Sequence, residues 1–64
     1  YNAASEEAVG AFHSGRIGFL DIVGTVQDVL ERHTAPEELT FDGLLAAEEW
    51  ARREAQTVIT ARQL

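Results

Sequence analysis

The stretch Gly10-Ala11-Phe12-His13-Ser14-Gly15-Arg16-Ile17 has the glycine spacing of a phosphate-binding loop. In such a loop, backbone amides cradle phosphate oxygens, a Lys follows the second glycine, and a hydroxyl then binds magnesium. Arg16 and Ile17 occupy those two places. Phe12 belongs to an apolar helical stripe, and no strand pattern precedes Gly10, so the phosphate-loop reading fails. His13 and His33 are the next residues with chemical potential. Neither has a carboxylate or second His beside it at metal spacing. Each stands near the end of a predicted helix, where a cation suits the helix dipole.

The remaining candidates fail on geometry. Glu37-Glu38 and Glu48-Glu49 are adjacent pairs, and neighbours on a helix point about 100° apart, so neither pair is an acid–base dyad. Ser5 and Ser14 have no base partner that would make a nucleophile. Asp42-Gly43-Leu44 resembles the Asp-Ser-Leu of an acyl-carrier domain, but Gly43 removes the hydroxyl that would carry the prosthetic arm. The residues therefore supply no catalytic, cofactor-binding or metal-ligating set.

The elements that would position any site are helices. The first is predicted from about Ala3 to Ser14, with Asn2 as N-cap, Glu6 and Glu7 at its positive end, and Gly15 as its left-handed stop. Ala4, Ala8, Ala11 and Phe12 share one face. The second runs from about Phe19 to His33, with Phe19, Ile22, Val23, Val26, Val29 and Leu30 at helical spacing. Gly24 costs about 1 kcal/mol there relative to Ala, a cost that close helix approach would explain. A break follows at His33-Thr34-Ala35-Pro36. The third helix runs from Phe41 to about Arg62, with Thr40 as N-cap and Asp42 in its first turn. Its stripe is Phe41, Leu44, Leu45, Ala51, Ala55, Val58 and Ile59, with Trp50 beside it and only partly buried. The predicted core joins Phe19/Ile22/Val26/Leu30 to Leu44/Ala51/Ala55/Val58, and Val26→Asp is expected to unfold the chain.

Composition limits the function classes. The 64 residues hold 11 acids and 5 bases, a net charge of −6, which disfavours nucleic-acid binding through counterion release. The bases are all Arg and form no stripe. Arg52-Arg53 sits among Glu48, Glu49 and Glu54 and reads as a solvated helix face with intrahelical pairs. Without Cys there is no disulfide, and no run of 18 apolar residues suggests a membrane span. A chain this small buries only about 60% of its unfolded surface. Three wide stripes on short helices leave some apolar surface uncovered, so self-association is expected. The missing initiator Met suggests a piece of a longer protein.

Particular motifs point to a family. Asn2-Ala3-Ala4-Ser5-Glu6-Glu7-Ala8-Val9 with Ala11-Phe12 resembles the NAANE-x-AV-x-x-F segment of 1-deoxy-D-xylulose 5-phosphate reductoisomerases. Gly15-Arg16-Ile17-Gly18-Phe19 and Ile22-Val23 are similar to the connector and helix opening that follow. Thr40-Phe41-Asp42-Gly43-Leu44-Leu45 and Trp50-Ala51-Arg52-Arg53-Glu54-Ala55 are similar to two later segments. Ser5 and Gly43 depart from the family pattern, where Asn and Asp are usual.

The resemblance implies an all-α fold, the three-helix portion of a C-terminal (four-)helix bundle, with residues 1–64 as an incomplete C-terminal domain. It implies a parent enzyme that isomerises 1-deoxy-D-xylulose 5-phosphate and reduces it with NADPH to 2-C-methyl-D-erythritol 4-phosphate, in non-mevalonate isoprenoid biosynthesis. NADPH and a divalent metal (Mg or Mn) would sit in other domains, so no cofactor and no site residue is carried onto this chain. Its expected partner is the catalytic domain of the parent chain, in a cytoplasmic homodimer without nucleic acid or membrane. The alternative is a free-standing acidic helical protein-interaction module.

Overall fold

The computed structural model describes residues 2–33 and 40–63. They form three helices, α1 (Asn2–His13), α2 (Leu20–Arg32) and α3 (Phe41–Arg62). Among the described residues there is no strand, as the 3.6-residue periodicity predicts. The Thr34-Ala35-Pro36 break and Glu37-Glu38 lie outside the described residues.

Local chemistry sets the helix ends. Gly15 has φ +76°, the left-handed stop after α1. The Arg16 amide donates to the Ala11 carbonyl (2.9 Å) and the Gly15 amide to the Phe12 carbonyl (3.0 Å). This pair of bonds is a Schellman closure, and Ile17, one residue beyond it, packs with Ala11 and Ile59. At α3 the Thr40 hydroxyl accepts from the Gly43 amide at 2.9 Å, so the predicted N-cap is in place. At α2 no side chain caps from Phe19; instead Asp21 reaches back to accept from the Gly18 amide at 3.0 Å.

The start of α1 differs from expectation. Asn2 is already helical, and the Ala3 amide donates to the Glu48 carboxylate of α3 at 2.8 Å. A free amide of the first turn is thus satisfied across the bundle by a residue far along the chain. Glu6 and Glu7 lie beyond that first turn and pair with Arg52.

These contacts also give the topology. Ala3 meets Glu48 and Glu7 meets Arg52, so α1 and α3 run parallel. Arg62 meets Asp21 and Arg32 meets Glu54, so α2 packs beside them and runs antiparallel to both. The α3 helix, at about 1.5 Å per residue, is roughly 33 Å long and sets the 37 Å long axis. Because Glu48 already stands level with the start of α1, residues 41–47 of α3 project past the other two helices.

The core is made mainly of small side chains. Ala3, Ala4, Ala8 and Ala11 of α1 face Ala51, Ala55, Val58 and Ile59 of α3. Ile17, Thr25 and Val29 complete it. The α1 alanines and the C-terminal half of the α3 stripe therefore pack as expected, and Trp50 and Phe12 are partly buried against the core.

The α2 stripe does not. Of its six predicted members only Val29 is fully buried. Val26 and Ile22 are half-buried, whereas Phe19, Val23 and Leu30 are exposed, at 67%, 69% and 51%. On α3, Phe41, Leu44 and Leu45 are exposed as well. The physical reason is that α2 turns its Thr25/Val29 edge to the alanines, which admit only a narrow ridge. The broad edge of its stripe remains outside. The predicted core pairing of Phe19 and Leu30 with Leu44 is thus corrected. Val26 sits at the boundary, where a charge costs less than at a fully buried site.

Candidate functional site

The residues with chemical potential do not converge. His13 is exposed at the end of α1, with its ring 5.6 Å from that of Phe12. His33 follows α2, with its ring 6.0 Å from Trp50. The Ser14 hydroxyl donates to the Gly10 carbonyl at 2.9 Å. Gly10 lies inside α1 and Gly15 in its Schellman stop, so this glycine pair ends a helix and makes no phosphate cradle. Glu48 caps α1 while its neighbour Glu49 is exposed, and Asp42 is exposed at the start of α3. Among the described residues no three His, Cys, Asp or Glu side chains are grouped to hold a metal ion.

Several charged side chains join elements distant in the chain. Arg62 donates to Asp21 at 2.9 Å and to Asp28 at 3.1 Å. The hydrogen bond to Asp28, then that to Asp21, raises the Arg62 pKa above its ordinary value. Its guanidinium lies over Gly24, where an added Cβ would stand 2.7 Å from Nη1. Gly24 therefore makes room for an arginine head rather than for a neighbouring helix backbone. Arg52 donates to Glu7 at 2.6 Å and to Glu6 at 3.2 Å, and these bonds, Glu7 first, raise its pKa too. Arg32 pairs with Glu54 at 2.9 Å. Arg16 donates to Gln63 through Nε and Nη2 and to Gln56 through Nη1. The Arg52 region was expected to be a solvated face with intrahelical pairs. Arg52 and Glu54 pair between helices instead, because the close α1–α3 and α2–α3 contacts bring opposite charges within reach.

The feature left over is apolar. Ile22, Val23, Val26 and Leu30 of α2, with Gln27 and with Ser5 of α1, line an open groove of about 560 Å³. No charged side chain lines it. The periodicity of α2 reveals these residues in sequence, but as part of the core. Nothing in a single helix's pattern tells which edge its own bundle covers.

Comparison with known proteins places this architecture. The family model described as the DXP reductoisomerase C-terminal domain matches residues 1–54. A protein of Leifsonia xyli named 1-deoxy-D-xylulose 5-phosphate reductoisomerase is 52% identical over 59 residues, covering 92% of this chain and 16% of the relative. The protein of that name from Pseudarthrobacter chlorophenolicus is 52% identical over the whole chain, again 16% of its own length. That from Mycolicibacterium smegmatis is 48% identical over the whole chain and 17% of its own length. The chain thus spans about a sixth of the curated relatives it matches. No solved structure matches.

Proposed function

The chain belongs to the DXP reductoisomerase C-terminal domain family, and from that premise we propose that it is the helical brace of a 1-deoxy-D-xylulose 5-phosphate reductoisomerase. The parent enzyme isomerises that substrate and reduces it with NADPH, assisted by a divalent metal, Mg or Mn. The product, 2-C-methyl-D-erythritol 4-phosphate, feeds non-mevalonate isoprenoid biosynthesis in the cytoplasm. The observation that carries this reading is about 50% identity to reductoisomerases along the whole chain. It also favours the reading over a free-standing acidic interaction module.

The chain's own contribution is mechanical. Alanine faces let α1 and α3 approach closely, and Arg16, Arg52 and Arg62 tie helices that are distant in sequence. The result is a support whose α2 edge and α3 start remain apolar on the outside. Docked on the catalytic domain, within a homodimeric parent, it would hold that domain's geometry without touching substrate. No helix is long and apolar enough to cross a membrane among the described residues.

The test uses the product of the full reading frame that encodes this stretch, assayed for metal-dependent NADPH oxidation with 1-deoxy-D-xylulose 5-phosphate. Turnover is expected. A folded product that does not turn over this substrate would overturn the reading.

A further inference from the structure

We infer that Glu48 and Arg52, one turn apart on α3, are the key that fixes the register of α3 along α1. They thereby set how far residues 41–47 project past the other two helices. The inference concerns packing within this chain and stands independently of the reductoisomerase reading.

The alanine faces alone leave the register open. Ala4 and Ala8 of α1 stand four residues apart, and Ala47, Ala51 and Ala55 of α3 repeat the same interval. Ala4, Ala8, Ala51 and Ala55 are buried, and Ala47 is half-buried. Four residues are about one helical turn, roughly 6 Å of travel along the axis. If α3 moved that far toward its own C-terminus, Ala47 and Ala51 would enter the places that Ala51 and Ala55 hold. Alanine would again face alanine. Val58 and Ile59 would step toward the far end of α1 and beyond it, and the exposed Leu44 and Leu45 would come alongside its start in exchange. On the α2 side, Arg62 would travel toward Asp21 and away from Asp28, keeping one of its two partners. The Arg32–Glu54 pair lies at the surface, where such pairs hold weakly.

The polar edge does not repeat in this way. The Ala3 amide donates to Glu48 at 2.8 Å and Arg52 donates to Glu7 at 2.6 Å, and both contacts join residues 45 apart. Acid and base on α3 thus alternate in step with an amide and an acid on α1. Arg52 also reaches Glu6 at 3.2 Å, and Gln56, one turn further on, donates to Glu7. In the shifted register Glu48 would stand beside Glu6 and Glu7, acid against acid, and the Ala3 amide would lose its acceptor. A shift the other way would set Arg52 beside that amide, a cation at the positive end of α1, and would take the base from Glu7. Polar contacts of this kind select one register where apolar packing leaves neighbouring ones close in energy.

The test uses the full-length protein with its other cysteines replaced by Ser and nitroxide labels on introduced cysteines, read by double electron–electron resonance. One label pair is Gly10→Cys with Asp42→Cys, the other Asn2→Cys with Ala61→Cys. All four positions are exposed, and a Cβ added at Gly10 meets nothing. Glu6→Arg with Glu7→Arg reverses the code, since both would face Arg52 in the present register and Glu48 one turn away. The 10–42 distance is then expected to shorten and the 2–61 distance to lengthen, each by up to about 6 Å. Adding Glu48→Gln and Arg52→Glu should restore both parent distances. Where the reversed variant does not fold, Glu6→Gln with Glu7→Gln decides: without the code, a second distance displaced in those same directions should appear. Parent distances alone in the neutral variant, or in a folded reversed variant, would overturn the proposal. So would a shift that Glu48→Gln and Arg52→Glu leave in place.

Discussion

Thr25 is 0% exposed, and its hydroxyl oxygen has no hydrogen-bond partner. Among the described residues it is the one buried polar residue in a core otherwise made of Ala, Val and Ile. A buried hydroxyl without a partner costs about 1–3 kcal/mol of desolvation. Thr25→Val keeps the β-branch and puts a methyl where the hydroxyl was. Helix propensities of Val and Thr are nearly equal, so the backbone term cancels. The added methyl carbon meets Val29 and its neighbours with a small packing strain, which offsets part of the gain. A net stabilisation of about 1–2 kcal/mol is expected. For a chain of this size the whole stability is about 3–10 kcal/mol, and each kcal/mol moves Tm by roughly 4–8 °C. Thermal unfolding followed by circular dichroism measures it. Thr25→Ser is the paired control: it keeps the hydroxyl, drops the methyl, and should lose about 1 kcal/mol. If Thr25→Val melts lower than the parent, the hydroxyl has a partner, such as the carbonyl one helical turn back, and the reasoning fails.

Other outcomes follow from the same packing. Ile59, fully buried, should cost about 2–4 kcal/mol on change to Ala, read as a fall in Tm. Ala55→Leu places a large side chain between close helices and should destabilise by about 1–3 kcal/mol or more in the same assay. Val23→Asp, on the exposed edge of α2, should change the stability of the 64-residue chain by less than about 0.5 kcal/mol. It should also reduce the chain's weak self-association, measured by sedimentation at high micromolar concentration. Glu48→Ala removes the acceptor for the Ala3 amide and should cost about 0.5–2 kcal/mol, with hydrogen exchange faster in the first turn of α1.

The helices and their ends were legible because the signals are local. Gly15 needs a left-handed φ, Thr40 carries its own capping oxygen, and the alanines of α1 repeat at helical spacing. What could not be read depends on residues distant in the chain. The cap of α1 comes from Glu48, and the group lying over Gly24 is the Arg62 guanidinium. The sidedness of α2 is the largest such effect. Its stripe is about equally apolar at Val23 and Val29, yet one is exposed and the other buried. Periodicity reports an apolar face, and among the described residues nothing covers the Val23 edge.

The alanine interface between α1 and α3 has an evolutionary consequence. Ala has almost nothing to lose on truncation, so substitution by Gly at these positions removes little buried area, and its cost is mainly the helix penalty of about 1 kcal/mol. Enlargement is different, because any larger side chain wedges apart two helices that Arg52 also ties together. Random drift at Ala4, Ala8, Ala51 and Ala55 is therefore filtered by volume far more than by polarity or shape. The exposed edge of α2 is free of that filter among the described residues. One domain thus carries two constraints: an inner surface limited by volume and an outer edge free of that limit.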